Sequence, residues 1–318
     1  MTVVHAGQGL IDVHSHFVTE AYVAAGKAAG IEHPDGMPGW PTWRAEGQLD
    51  LMDRLGIETT VLSVSSPGVH LGDDARARVL ARDMNREAAA LCDRWPDRFR
   101  FLAALPLPDV DGSLAEAEEA LAHPAAVGAV VETNARGRSV ADPAFEPLWA
   151  ALSVRESVVL VHPTSPPNAA QVTGGAPSPM LEFPFETTRA AASLVMRGVT
   201  TRHRGIRWVL THCGGALPVL GDRIATFARA MLGDGGPDVD AELRSLWYDL
   251  AGTPFPRHAD ALVHAVGTAR VVYGSDSCWT SDALIAAQVA SLDAASAAGD
   301  IDWRALTRAN AGRLLARR

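Results

Sequence analysis

Eight short, largely apolar runs recur along the chain, most of them followed by stretches in which apolar residues return at helical spacing. They are GLIDVHSH (9–16), ETTVLSVS (58–65), RFLAALP (100–106), VGAVVET (127–133), SVVLVHP (157–163), IRWVLTH (206–212), LWYDLAG (246–252) and RVVYGSD (270–276). Helical spacing appears at 75–95, 113–123, 144–154 and 216–232, and again at 302–317, which reads as a closing helix. Strands that are apolar on both faces belong in a parallel sheet covered by helices. Eight such units in 318 residues predict an α/β fold of the (β/α)8 TIM-barrel class, with 1–318 forming one domain. An open doubly wound sheet is the competing arrangement, but no strand is followed by the GxGxxG turn with which such sheets hold dinucleotides. Residues 17–45, which include PDGMPGWPTW, are too long for an ordinary strand-to-helix loop; they predict a small insertion after strand 1 that caps the barrel mouth.

A barrel gathers the C-terminal ends of its strands around one mouth, where catalysis takes place. The titratable residues of these runs collect at that end: His14 and His16 on strand 1, His162 on strand 5, His212 on strand 6 and Asp276 on strand 8. His14 and His16 are two apart in an extended segment and therefore share a face. An isolated HxH pair is as consistent with a solvated loop as with a metal site, so the convergence of distant residues decides the matter. Three or four imidazoles with one carboxylate and an open position make a catalytic metal centre, suited to zinc or to manganese or iron. His5, His33, His70, His123, His203, His258 and His264 fall in predicted loops or helices and read as structural.

Lysine and arginine number 28 against 37 acidic residues, a net charge of −9 with no basic stripe, which excludes nucleic acid as a partner. The apolar runs are too short to cross a membrane, and MTVVHAGQGL lacks the basic region and long apolar core of a leader, so a cytoplasmic protein is expected. Cys92, Cys213 and Cys278 are scattered without CxxC spacing, which argues against both a disulfide framework and a zinc knuckle.

DVHSHF, VHP, THCGG and YGSDS, in this order at the ends of strands 1, 5, 6 and 8, resemble the amidohydrolase superfamily. More narrowly they resemble the amidohydrolase-related branch containing aminocarboxymuconate-semialdehyde, γ-resorcylate and 6-methylsalicylate decarboxylases. LMDRLGIETTVLSVSSPGV (51–69), FLAALPLPDVDGSLAE (101–116) and FPFETTRAAASLVMRGV (183–199) are most similar to the 6-methylsalicylate type. The resemblance implies one divalent metal ion, zinc before manganese or iron, on His14, His16, His162 and Asp276, with Asp276 and His212 catalytic. Many superfamily members bridge two metals through a carboxylated lysine on strand 4; here VGAVVETN has none, and Lys27, the sole lysine, lies in the insertion.

Arg223 matches an arginine that in related decarboxylases reaches the neighbouring subunit's site, which implies a homodimer. Where the branch carries a substrate-binding arginine, this chain has Gln48, Leu49 and Asp50, with Arg44 as the nearest substitute. After Asp276 it runs SCW in place of an aromatic residue and a proline, so Ser277, Cys278 and Trp279 should form a different wall. Trp43 and Trp279 are the aromatic candidates for holding a ring. The activity implied is metal-dependent, non-oxidative decarboxylation of a small aromatic or unsaturated carboxylic acid, above all an ortho-hydroxybenzoate like 6-methylsalicylate. The alternatives are a metal-dependent hydrolase of a lactone or amide and a non-catalytic metal-binding protein of the same fold.

Overall fold

The structure, a computed structural model, describes residues 9–316; His5 and the rest of the first eight residues lie outside it, as does the end of the closing helix predicted to 317. The eight runs form one parallel sheet in sequence order: β1 Leu10–His16, β2 Ile57–Ser63, β3 Phe99–Ala104, β4 Ala126–Glu132, β5 Val158–His162, β6 Arg207–Leu210, β7 Trp247–Asp249 and β8 Val271–Val272. Bridges from Asp12 to Tyr273 and from Ser15 to Ser277 bring β8 back to β1. The arrangement is therefore the (β/α)8 barrel and not the open sheet. β8 is shorter than the 270–276 run because the chain turns after it, so that the Ser275 and Asp276 N–H groups both donate to the His14 carbonyl, at 3.1 and 2.9 Å.

The outer layer follows the predicted helices closely. Asp74–Arg94 is capped by the Asp73 side chain, Val110–Ala120 by Asp109, and the closing helix Trp303–Leu315 by Asp302; each cap satisfies an N–H that the first turn leaves free. Segment 17–45 has structure of its own, a helix at Glu20–Ala28 and a 3-10 turn at Pro34–Gly36, which sequence spacing alone did not indicate. Among the described residues no helix is long and apolar enough to cross a membrane.

One buried apolar cluster takes a residue from each strand: Val13, Val61, Leu102, Val130, Leu160, Val209, Trp247 and Val272, with Ala311 and Leu314 of the closing helix against them. In a closed barrel the inward-pointing side chains of the strands stack about the axis, and these form that interior. Val13 belongs to this interior set, so strict alternation would turn His14 and His16 outward. It does not, because the β1–β2 register slips between Asp12 and Ser15, where three steps on β1 match two on β2. That extra residue reverses the alternation and swings both histidines to the inside.

Gly128 on β4 marks the tightest approach between neighbouring strands: a Cβ there would stand 1.8 Å from the Val158 carbonyl oxygen of β5. Substituting Gly128→Ala must part the two strands and is expected to destabilise the protein by about 2–4 kcal/mol. Urea unfolding would read this as a lower midpoint; an unchanged midpoint would contradict the β4–β5 packing.

Candidate metal and active site

Two strand ends, those of β1 and β5, and the turn after β8 deliver the site. His14, His16, His162 and Asp276 each bring one ligand atom to a common point, all within 4.8 Å of one another. Nε2 of His14 is 3.0 Å from Nε2 of His16, and Oδ1 of Asp276 stands 3.4 and 3.2 Å from these two nitrogens. Around an ion with bonds of about 2.0–2.2 Å, neighbouring ligand atoms stand about 2.9–3.5 Å apart.

The hydrogen bonds behind the rings fix which nitrogen is bare. His14 Nδ1 lies 2.8 Å from Asp249 Oδ2, and a carboxylate can only accept, so Nδ1 carries the hydrogen. Ser63 Oγ donates its one hydrogen to the Ser15 carbonyl at 2.9 Å; toward His16 Nδ1, also at 2.9 Å, it must therefore accept. Were both rings neutral, their Nε2 lone pairs would face each other across 3.0 Å, which a proton or a metal cation between them relieves. Burial lowers the His16 pKa to about 4 and holds His162 well below the imidazole range, so these two rings are neutral bases. Burial also acts against charge on His14, but the Asp249 carboxylate outweighs it and raises that pKa to about 9. The donor set, three imidazoles and a carboxylate with the outer nitrogens of His14 and His16 anchored, fits a divalent metal ion.

Asp249 is the residue that sequence reasoning missed. It is fully buried at the end of β7, with Oδ2 on His14 and Oδ1 accepting from the N–H groups of His212 and Ala251, at 2.9 and 3.0 Å. Burial would raise its pKa, but the charge of His14 and the hydrogen bond to it prevail and keep the carboxyl ionised. The signal was present in WYDLAG, a lone carboxylate closing an otherwise apolar strand. Asp12 is similarly buried, accepting from Ser275 Oγ at 2.6 Å and N at 3.0 Å; desolvation pushes its pKa to about 7. It ties the turn after β8 to β1, and Gly274 is required there because a Cβ would lie 2.7 Å from that of His14.

Asp276 has φ +59° and His212 φ +54°, left-handed backbone that is costly for residues with a Cβ and that concentrates at functional sites. The turn lets Asp276 present Oδ1 to the histidine pair and Oδ2 to His212 Nε2, at 3.4 Å. Burial would raise the Asp276 pKa, but the neighbouring His16 and His212, with the charge of His14, hold it well below the carboxylate range.

These groups open on a cavity of about 380 Å³ whose wall includes His162, His212, Asp276, Phe183, Met37 and Trp279. Trp279 is thus placed on the wall. Trp43 packs edge-on against Phe17, ring centres 5.7 Å apart, and does not reach the cavity wall. Arg223 is exposed on the helix Leu217–Leu232, its guanidinium 4.8 Å from the Phe227 ring centre and away from its own chain's cavity. Ser277 turns inward to Gln48, Oγ to Oε1 2.9 Å, and Arg44 does not line the cavity. At the end of β4 the chain has Glu132, whose carboxyl burial holds well above its usual pKa.

A model of the amidohydrolase family matches residues 11–317. The 6-methylsalicylic acid decarboxylase of Aspergillus aculeatus is 37% identical over 278 residues, covering 84% of this chain and 83% of that protein. Among solved structures, an amidohydrolase II superposes with a TM-score of 0.89 at 29% identity, covering 96% of this chain and 99% of the other. A dihydroxybenzoic acid decarboxylase from Polaromonas, solved with bound manganese and an inhibitor, shares the fold with a TM-score of 0.82 at 22% identity over 96% of each chain. With the family match spanning nearly every described residue, the chain belongs to the amidohydrolase family.

Proposed function

We propose that this protein is a metal-dependent, non-oxidative carboxy-lyase acting on a small aromatic acid of the ortho-hydroxybenzoate type, with 6-methylsalicylate the first compound to test. The observation that carries the reading is a four-atom ligand group opening onto an aromatic-walled cavity of about 380 Å³. Similarity to a decarboxylase over 84% of the chain supports it and does not favour hydrolysis of a lactone or amide.

His14, His16, His162 and Asp276 would hold the ion, and three imidazoles argue for zinc, with manganese the alternative. When bound, the ion supplies positive charge that binds and orients the carboxylate and neighbouring hydroxyl of the substrate. Phe183 and Trp279 confine the ring and exclude water from its faces. Asp276 Oδ2 and His212 Nε2, 3.4 Å apart, form the pair that shares a proton and passes it to the ring carbon bearing the carboxylate. The carbon–carbon bond then breaks, its electrons restore the aromatic ring, and carbon dioxide leaves. Incubating the metal-loaded protein with a panel of hydroxybenzoates should release carbon dioxide and the matching phenol in equal amounts. Release from none of them would reject the reading.

We read residues 17–45 as a cover within one barrel domain, since Asp35 and Met37 line the cavity and the Trp40 ring centre lies 6.1 Å from that of Trp279. The free thiols Cys92, Cys213 and Cys278 suit a reducing cytoplasm. A homodimer is also part of the reading. Val219, Arg223, Phe227 and Met231 recur every fourth residue along one helix, and Val219, Phe227 and Met231 are 77, 51 and 72% exposed. The ion supplies one counter-charge to an anionic substrate, and among the described residues no lysine or arginine lines the cavity; a second copy bringing its Arg223 to the mouth would add another. Arg223→Ala is expected to raise KM about tenfold. A wild-type monomer in sedimentation, together with an unchanged KM in the variant, would contradict the dimer.

A further inference from the structure

His258 opens the helix His258–Val266 and lines the same cavity as His162, His212 and Asp276. Its Nε2 is 2.7 Å from the carbonyl oxygen of Gly215. A carbonyl can only accept, so the ring hydrogen sits on Nε2, and Nδ1 of the neutral ring is a bare lone pair. Burial favours that neutral form, with the Gly215 carbonyl opposing it and the nearby His212 reinforcing it.

The anchor is rigid. His212, Cys213, Gly214 and Gly215 follow one another with φ of +54°, +55°, +75° and +64°. A Cβ on Gly215 would lie 2.1 Å from the Pro184 carbonyl oxygen, so that wall leaves the loop no room. Serine and threonine hydroxyls on the wall can rotate to give or take a hydrogen bond, and Asp35 is already engaged by the N–H and hydroxyl of Ser165. His258 Nδ1 can only take one, and among the described residues no hydrogen bond to it is found.

We propose that His258 is a specificity-determining residue whose Nδ1 accepts a hydrogen bond from a donor substituent on the substrate ring. Among ortho-hydroxybenzoates the site then favours a ring with a second hydroxyl over one with a methyl group at the position meeting His258. A site built to accept a hydrogen bond rejects the ring lacking the donor, because the buried acceptor is left unpaired. The inference rests on the aromatic substrate class proposed above, but its test does not need turnover.

The test is calorimetric binding of the three dihydroxybenzenes and the three methylphenols to the metal-loaded protein, wild type and His258→Phe. At least one dihydroxybenzene should bind about tenfold tighter than its methyl counterpart, and His258→Phe should shrink that preference to within about twofold without weakening the methylphenol. His258→Gln, whose amide can donate to Gly215, is the second variant should the phenylalanine disturb folding, and it is read on the same ratio. The proposal is overturned if wild type shows no preference, if the preference survives in a folded variant, or if both ligands weaken together, as they would were the ring only a brace for Gly215. Should no hydroxybenzoate release carbon dioxide while the preference holds and the variant loses it, decarboxylation fails and the role of His258 stands.

Discussion

Substituting Asp276→Asn is expected to slow carbon dioxide release by about a thousandfold while leaving the fold intact. The carboxylate serves two neighbours at once: Oδ1 lies 3.2–3.4 Å from the paired histidine nitrogens, and Oδ2 lies 3.4 Å from His212 Nε2. An asparagine retains one oxygen for the ion, but its amide cannot hold a transferable proton beside His212. Metal content should therefore fall less than activity does, whereas Asp276→Ala should lose both. Parallel metal analysis and single-turnover assays separate the two effects. A metal-loaded asparagine variant retaining more than about a tenth of the wild-type rate would remove Asp276 from proton transfer.

Asp249→Asn should weaken metal binding about 10–100-fold although Asp249 is not one of the four proposed ligands. In the neutral His14 ring that a metal requires, the Asp249 carboxylate keeps the single hydrogen on Nδ1, leaving Nε2 free to face His16. An amide nitrogen in place of Oδ2 would donate instead, drive the imidazole hydrogen round to Nε2 and occupy the lone pair that the ion requires. Oδ1 of the asparagine can still accept from the His212 and Ala251 N–H groups, so the loop after β6 should keep its course. Titration with zinc or manganese against a competing chelator measures the change. An affinity equal to that of wild type would show that Asp249 does not set the His14 tautomer.

The barrel is legible in the sequence because eight largely apolar runs recur with helical stretches between them, and the site because histidine or aspartate closes the first, fifth, sixth and eighth runs. That places His14, His16, His162 and Asp276 at one mouth before any coordinate is known. Three features escape such a reading. HxH spacing says that two histidines share a face but not which one; the register slip between Asp12 and Ser15, which turns them inward, depends on pairing with β2 and leaves no mark on β1 itself. Asp249 gives no spacing signal because its partners lie 37 and 235 residues away. Trp43 and Trp279 both look able to face a ring, yet Phe17 takes up Trp43, while Trp279 is left on the wall by the turn that follows Asp276. In each case a tertiary contact, and not a local preference, decides where the side chain goes.

The central claim concerns one ion among four side chains, and anomalous diffraction from crystals of the metal-loaded protein tests it most directly. The account predicts one metal peak per chain, bonded at about 2.0–2.2 Å to His14, His16, His162 and Asp276. A fully loaded protein with its metal elsewhere, or with Asp276 outside bonding distance of it, would contradict the account.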